Sequence, residues 1–260
     1  AGGKFDLNSS TAKANFSRIG EELRQNSSCI AVSGENTATT QNYSCTVLMY
    51  YYDAAGTWNV TASIADLSGV FAANDSTTFT YNQLQAIVIS PNALTWATFI
   101  QGDANQTSNN DPTLINNTGN YNAAAVRVTA YNLHGERVSS EYFGVGNFTV
   151  DVETGGSPPS ECLGTAMVNG TATSISGATL NRGNNSINDG STGQEQLYYC
   201  ITTVPSLSSQ TYSTSYTGGS WIVGILGAVF AVRKKKNKKS KEELLEIFDN
   251  KLDRKYKLEI

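Results

Sequence analysis

From Cys29 onward, apolar and polar residues alternate with a period of two, which is the spacing of a half-buried β-strand. The alternating segments are rich in β-branched and aromatic residues and cover residues 43–52, 57–64, 77–81 and 84–90. Asp53 and Gly56 bound a short loop between the first two, as in a β-hairpin. The pattern predicts an antiparallel β unit.

The alternation resumes after Pro91. Strands are predicted at residues 94–100, 113–116, 124–133, 145–152, 197–204 and 210–216. The stretch 155–160 has the composition of a linker, but residues 162–217 hold too few strands to bury a core of their own. The sequence therefore predicts a mainly β protein with two immunoglobulin-like β-sandwich domains, 28–90 and 91–217.

Residues 1–27 are interpreted as an N-terminal arm outside both sandwiches. Phe16, Ile19 and Leu23 stand at helical spacing, and Ser10 before them suits a helix N-cap. Through these three side chains, the arm is expected to contact a neighbouring subunit as a docked helix or an added strand, or to pack on the first domain.

An unbroken apolar run from Trp221 to Val232 is followed by six positive charges in residues 233–239. This order predicts a transmembrane segment at residues 218–233, with membrane lipid contacting residues 218–239. As a helix the run is only about 18 Å long, against a hydrocarbon core of about 30 Å. A terminal β-strand or a buried helix is the alternative.

Residues 234–260 are predicted to form a basic cytoplasmic tail with an amphipathic helix. Ser240 to Glu243 match a helix capping box. An apolar stripe follows at helical spacing, formed by Leu244, Leu245, Phe248, Leu252 and Tyr256. The helix is expected to be solvated, or to bind an acidic membrane surface or a partner helix.

The net charge of −4 combines an acidic part with a basic part. Residues 1–232 carry 7 basic and 16 acidic side chains, whereas residues 233–260 carry 11 basic and 6 acidic ones. This asymmetry predicts a single-pass cell-surface protein with an extracellular N-terminus and a cytoplasmic C-terminus. The acidity of the outer part disfavours nucleic acid as a partner.

The part of the chain before the apolar run has eleven N-x-[ST] sequons, about twice the number that its composition gives by chance. The excess indicates an exported chain that carries N-linked glycans. Glycosylation is predicted at Asn8, Asn15, Asn26, Asn42, Asn59, Asn74, Asn105, Asn116, Asn147, Asn169 and Asn184. The start Ala1-Gly2-Gly3 is what removal of a targeting segment would leave.

The four cysteines are even in number and lack the spacing of a zinc site or a redox centre. Disulfides are the simpler interpretation, and four cysteines allow three pairings. Cys29–Cys45 and Cys162–Cys200 follow if each bridge closes within its own domain.

Residues that would support catalysis are scarce. His134 is the only histidine, which argues against histidine triads and histidine-rich metal sites, and no cofactor motif is present. An enzyme is not expected, and neither is a cofactor. Oxygen-bearing residues at alternate positions make a weak calcium candidate of Asp103, Asn105, Asn109 and Asp111, for which a polar surface loop is the preferred interpretation.

A resemblance to a known family enters at residues 117–131 and 197–213. Asn117-Thr118-Gly119-Asn120 followed by the alternating stretch 124–131, together with residues 197–205 and 210–213, is similar to the strand signatures of CARDB-like immunoglobulin-like modules in archaeal and bacterial surface proteins. The resemblance covers residues 91–217. It implies a scaffold, adhesion or assembly role without catalysis, in an archaeal-type membrane-anchored cell-surface protein.

Two functions fit these features. The first is a glycosylated structural protein of the cell envelope, S-layer-like, a surface coat or a filament subunit, whose main partner is a further copy of itself. The alternative is an adhesin or a carbohydrate-binding surface receptor. Exposed Trp58, Trp96 and tyrosines would favour the receptor, because sugar sites use aromatic platforms, whereas their burial would favour the structural protein.

Overall fold

The computed structural model describes residues 11–34, 41–66, 68–153, 158–159, 161–215, 219–226, 228–231 and 255–259. As predicted, the protein is mainly β and its sheets are antiparallel. The chain divides into two compact units, one formed by Ala1–Leu84 with Lys238–Ile260 and the other by Gln85–Asn237. Sequon Asn8 lies outside the described residues.

The described residues of the first unit form two sheets. One has the strand order β2-β1-β5-β6 and the other β20-β4-β3. The strands are β1 (Thr11–Ser17), β2 (Arg24–Asn26), β3 (Ile30–Ala31), β4 (Tyr43–Leu48), β5 (Gly56–Ala65), β6 (Phe71–Tyr81) and β20 (Lys255–Glu259). Both sheets contribute to one core, in which Trp58 and Val60 of β5 pack with Val47 of β4 and Phe16 of β1.

The N-terminal arm is corrected by the structure. Residues 11–17 form strand β1, which pairs along its whole length with β5, instead of a helix outside the sheets. Phe16 is 2% exposed in the core of its own unit, whereas Ile19 is fully exposed and Leu23 is half-exposed. The three side chains therefore do not form one contact surface. Ala12, Ala14 and Phe16 alternate with polar residues, and this is the period of a strand.

The boundary between the units also differs from the prediction. It lies between Leu84 and Gln85 instead of near Pro91. The reason is strand β7 (Ile87–Ser90), which pairs with β9 (Thr113–Asn117) and places Ile87 in the core of the second unit. Residues 85–90 thus belong to the sheets that follow them.

In the second unit, the part of the chain that the structure describes forms three sheets. Their strand orders are β15-β10-β18-β19, β12-β11-β17 and β14-β13-β16-β9-β7, with β8 also paired to β16. The further strands are β8 (Ala104–Thr107), β10 (Val126–Thr129), β11 (Leu133–Gly135), β12 (Tyr142–Phe143), β13 (Phe148–Val152), β14 (Thr165–Ala166), β15 (Ala172–Ser174), β16 (Gln194–Thr203), β17 (Tyr212–Ser213), β18 (Ile222–Ile225) and β19 (Ala228–Ala231). Inward-facing residues of β10, β13, β16 and β18 form one core.

The range of the predicted transmembrane helix contains two strands. Ile222–Ile225 pair with β10 and with Ala228–Ala231, and Val223 and Ile225 are buried in the core of the second unit. A strand that is buried on both faces is apolar throughout, so a short run of this kind does not distinguish a strand from a helix. No helix in the described part of the chain is long and apolar enough to cross a membrane.

At Lys255–Glu259 the structure differs from the amphipathic helix that the sequence predicts for the tail. These residues form strand β20, which pairs antiparallel with Ser44–Leu48 of β4. Tyr256 and Leu258 alternate with two lysines and a glutamate, which is a strand pattern that the longer helical stripe conceals. Residues 232–254, with the basic cluster and most of the stripe, lie outside the described residues.

Both predicted disulfides are present. Cys29 is bonded to Cys45 and Cys162 to Cys200, with Cα atoms 4.5 and 5.3 Å apart. The first joins the residue that precedes β3 to the buried face of β4, and the second joins the segment before β14 to β16. Each bridge therefore closes within one unit.

Removal of either disulfide is expected to lower the free energy of unfolding. The bridges span 16 and 38 residues, and restriction of the unfolded chain then stabilises by about 3 kcal/mol for the shorter loop and about 4 kcal/mol for the longer. Urea unfolding of Cys29→Ser/Cys45→Ser and Cys162→Ser/Cys200→Ser measures both values. A peptide joining Cys45 to Cys162 in non-reducing mapping would contradict the pairing.

Substitutions at Phe16 and at Ile19 should have different effects on the free energy of unfolding. Phe16→Ala is expected to destabilise the first unit by about 3–5 kcal/mol, because it leaves a cavity beside Trp58. Ile19→Ala should change stability by no more than about 0.5 kcal/mol, since its side chain is fully exposed. Chemical denaturation followed by tryptophan fluorescence gives both numbers, and equal losses would refute the assignment of Phe16 to the core.

Candidate functional site

The segment predicted as a weak calcium site connects two strands that share one partner. Along one edge of β16, β9 pairs as far as Leu197, and β8 pairs from Cys200 onward. Tyr199 lies in the gap between them. Its N–H donates to Asp111 Oδ2 at 3.0 Å, and its C=O accepts from the Ser108 N–H at 3.0 Å. The loop thus continues the ladder where neither strand reaches.

The four predicted ligands do not act together in this loop. Asp103 Oδ2 accepts from the Ile100 N–H at 2.9 Å, and Asn105 Oδ1 accepts from the Cys162 N–H at 3.4 Å. Asp111 is held by β16, and the Asn109 N–H donates to the Thr95 C=O. Their partners lie on separate parts of the chain. In the described ranges, no three His, Cys, Asp or Glu residues form a group that could hold a metal ion.

The carboxyl of Asp111 is partly buried, and its pKa is raised. Burial raises the pKa of its carboxyl to about 6, and the hydrogen bond from the Tyr199 N–H offsets only part of that effect. Its second oxygen, Oδ1, is buried and has no hydrogen-bond partner among the described residues. The carboxyl therefore completes the backbone hydrogen bonding of β16 at the cost of desolvating one negative charge.

The three tryptophans, which a sugar platform could use, pack in or against the two cores. Trp58 is fully buried, and its Nε1 donates to the Ala54 C=O at 2.9 Å. Trp96 is partly buried, with its ring 5.4 Å from Phe148 and 6.4 Å from Trp221 between centroids. Trp221 donates to the Tyr131 C=O at 2.8 Å. These indoles serve packing.

The tyrosines that follow β4 cover one another. The rings of Tyr50 and Tyr52 are stacked at 5.2 Å, and Tyr51 meets Tyr52 edge-on at 5.1 Å. The Arg24 guanidinium lies 4.6 Å from the centroid of the Tyr50 ring. Tyr50 is therefore contacted by both an aromatic ring and a cation, so it does not offer a sugar two free faces.

Arg24 is a buried cation that sequence reasoning missed. It donates to both Asp53 oxygens, with the shortest bond 2.6 Å, and to Glu22 at 2.6 Å. Burial lowers the pKa of Arg24, but the hydrogen bonds and charges of Asp53 and Glu22 more than offset this and raise it overall. Asp53 Oδ2 also accepts from the Tyr50 N–H, so the pair ties β2 to the loop after β4.

An amide network around the N-T-G-N turn was also missed. The Asn117 side chain donates to the carbonyls of Tyr121 and Asn181 and accepts from the Gly119 N–H. The Asn117 N–H donates to the Gly193 C=O. At Gly193, where φ is +64°, a Cβ would lie 2.7 Å from the Gly183 oxygen, so the close approach requires glycine. In the sequence, this network is indicated only by two clusters of Asn and Gly, one around residue 117 and the other at residues 181–193.

Polar groups of the kind that catalysis uses have structural partners at His134 and Glu141. His134 Nδ1 lies 2.8 Å from the Ser139 C=O, and its ring lies 5.8 Å from that of Tyr142. Glu141 accepts hydrogen bonds from Ser208, Gln210 and Tyr212, and those from Ser208 are the main cause of its lowered pKa. These contacts hold β11, β12 and β17 to the segment that follows β16.

The predicted glycosylation sites fall into two groups by exposure. Those with exposed side chains are Asn59, Asn74, Asn105 and Asn169. Those with partly buried side chains are Asn15, Asn26, Asn42, Asn116, Asn147 and Asn184. In the second group several amides are already engaged, because Asn26 Nδ2 donates to the Thr46 C=O, Asn147 Nδ2 donates to the Gly144 C=O and Asn116 Oδ1 accepts from Gln194.

Comparison with protein-family models, with curated proteins and with solved structures found no match to this chain.

The pKa of Asp111 makes the stability of the second unit depend on pH. Between pH 4 and pH 6 the folded carboxyl binds more protons than the unfolded one, whose pKa is about 3.9, so the free energy of unfolding falls as pH rises. With partial exposure of the side chain taken into account, the fall should be about 1 kcal/mol.

Asp111→Asn is expected to remove this fall, because the amide oxygen still accepts from the Tyr199 N–H but carries no charge. Asp111→Ala is the matched control. It leaves that N–H without an acceptor and should cost about 1–3 kcal/mol at every pH. Urea unfolding at pH 4 and pH 7.5 distinguishes the two variants, and an unchanged pH dependence in Asp111→Asn would exclude Asp111 as its source.

Proposed function

We propose that this chain is an exported, glycosylated structural protein of the cell surface that acts through contacts between its own copies and not through catalysis. In this proposal both units are immunoglobulin-like sandwiches, and the second belongs with the CARDB-like modules that residues 91–217 resemble. Cell-surface modules of this type present loops and strand edges to their neighbours while their interiors remain fixed.

The observation that carries the proposal is the position of the aromatic residues. Trp58 is buried in the first core, Trp96 and Trp221 are partly buried against the second, and Tyr52 and Arg24 contact the ring of Tyr50. A carbohydrate receptor needs aromatic faces that are open to solvent. Burial of these residues favours a scaffold over a receptor.

Two further observations support export. Both pairs of cysteines form disulfides within a unit, and such bonds persist in oxidising compartments outside the cytosol. Asn59, Asn74, Asn105 and Asn169 are exposed sequons, so glycans can be attached to them without disturbing a core. An acidic, glycosylated outer surface is soluble and disfavours contact with nucleic acid.

Attachment to the membrane remains a prediction from the sequence. The basic cluster at residues 233–239 retains the positive-inside signal, but the residues next to it form strands β18 and β19. Strand β20 pairs with β4 of the first unit, which a cytoplasmic tail could not do if that unit is outside the cell. Whether external protease can reach the tail therefore decides between a membrane span and the pairing of β20 with β4.

Protease treatment of intact cells that produce the full chain tests its location. We expect both units to be digested from outside, as an exported protein requires. Protection of residues 240–260 would support a single membrane span, whereas their digestion would support the pairing of β20 with β4 on the outer side. Protection of the whole chain until lysis would contradict export.

A membrane-impermeant crosslinker applied to the same cells tests the structural role. We expect crosslinked ladders of the chain, and an ordered array or filament in electron micrographs of the envelope. The receptor alternative predicts uncrosslinked monomers that bind a glycan array. That combination of results would overturn the proposal.

A further inference from the structure

The sheet β2-β1-β5-β6 has an edge strand on each side, and both edges carry a sequon. Asn26-Ser27-Ser28 begins at the last residue of β2, and Asn74-Asp75-Ser76 lies in the middle of β6. Edge strands present unpaired backbone N–H and C=O groups, to which another strand can add. A modification at either position would therefore lie beside a surface that needs protection.

Apart from one β-bulge and the charge of Asp75, the outer edge of β6 lacks the usual protection among the described residues. The strand is eleven residues long, contains no Lys, Arg or Pro, and has Asp75 as its only charge. Every residue from Phe71 to Thr78 is exposed. Among the described residues, β5 is the only strand that pairs with it. Natural edges of this length are commonly shielded by lysine, proline, a bulge or a covering segment.

A β-bulge places the sequon at this edge. Val60 pairs with Thr77 and Ala62 pairs with Asn74, so Asp75 and Ser76 together oppose the single residue Thr61. The extra residue bends the strand at Asn74. Pairing with a further strand is interrupted at the bulge, but the segments on either side of it remain extended and open.

The bulge also fixes the orientation of the Asn74 amide. Its Oδ1 accepts from the Ser76 N–H at 2.9 Å and from the Ser76 hydroxyl at 2.8 Å. Asn74 is exposed, and its Nδ2 donates no hydrogen bond among the described residues. Nδ2 is the atom that N-glycosylation modifies.

Asn26 on the opposite edge provides a contrast within the same sheet. Its Oδ1 accepts from the Ser28 N–H at 2.9 Å, as in the Asn74 turn. Its Nδ2, however, donates to the Thr46 C=O at 3.0 Å. Modification of the folded chain at Asn26 would have to break this hydrogen bond, whereas modification at Asn74 breaks none.

We propose that Asn74 is an N-glycan acceptor in the folded chain, and that its glycan shields the outer edge of β6 from pairing with another strand. The proposal rests on the export and glycosylation inferred under the proposed function. A strand paired with β6 would lie about 4.8 Å from β6, in space that a sugar chain attached at the bulge would occupy.

The modification is a group transfer from a sugar carried on a phosphate leaving group. Nδ2 attacks the anomeric carbon, the new N–C bond forms, and the C–O bond to the phosphate breaks with its electron pair remaining on the phosphate oxygen. The Nδ2 proton passes to a base of the transferase. Asn74 Oδ1 remains an acceptor, so the turn with Ser76 is kept.

Transfer to the folded chain tests the acceptor. Unglycosylated full chain with both disulfides formed is incubated with a single-subunit oligosaccharyltransferase and its lipid-pyrophosphate-linked oligosaccharide, and occupancy is read by peptide mass mapping. We expect Asn74 to exceed Asn26 by about fivefold or more, the factor that one hydrogen bond corresponds to. Prior reduction and denaturation should remove the difference. Occupancy of Asn59 with none at Asn74 in the folded chain would overturn the proposal.

Sedimentation of the glycosylated chain tests the shielding. Asn74→Gln should self-associate at concentrations where the unsubstituted chain does not, and Ser76→Ala should do the same while keeping Asn74 and its backbone hydrogen bond. Asn59→Gln is the matched control, because it removes a glycan from the central strand β5 and should not associate. Adding Thr78→Lys to Asn74→Gln should restore the sedimentation of the unsubstituted chain.

Equal sedimentation of Asn74→Gln and Asn59→Gln would overturn the shielding. This comparison is independent of the proposed surface role, because any contact that the native copies make elsewhere is common to both variants. Failure of the surface role would instead appear in intact cells, as protection from external protease.

Discussion

The hydrogen-bond ladder of strand β16 is the constraint on which the second unit depends. One edge of β16 pairs with β13, while its other edge is divided between β9 and β8. The two strands do not reach Tyr199, so the loop between them supplies the Ser108 N–H and the Asp111 carboxylate there. The same strand carries Cys200 and buried core residues. The ladder, the disulfide and the core are therefore fixed by one set of backbone positions.

Local patterns in the sequence are sufficient for the mainly β character of the fold and for the disulfides. Alternation identifies strands because successive side chains point to opposite faces, and an even number of cysteines with short separations favours bridges within each unit. The same reasoning failed at β1, where Ala12 and Ala14 are too small to stand out as a core-facing row. It also failed at β18, where burial on both faces removes the alternation that identifies a strand.

The details of the candidate site depend on contacts between residues far apart in sequence. The sequence pattern includes Asp111 in a weak calcium candidate. Its hydrogen-bond partner Tyr199 is 88 residues away, so no local pattern could show that Asp111 completes the backbone hydrogen bonding of β16. Arg24 and Asp53 are 29 residues apart, and each is of a residue type that usually lies at the surface. The sequon at Asn74 was visible in the sequence, whereas the bulge that orients its amide depends on the register between β5 and β6.

The position of β18 sets an order of events during synthesis. The core of the first unit draws on residues 14 to 81, whereas that of the second requires Ile225, which pairs with Val126 about a hundred residues earlier. Such distant pairing makes the closing step slow, since a long loop must be ordered before its contacts form. The sheet β2-β1-β5-β6 and the core formed by residues 14 to 81 can therefore form while much of the second unit is still being made, whereas strand β20 can join β4 only after the second unit has been made. During synthesis, this sheet can therefore become available to modifying enzymes before the second core has closed.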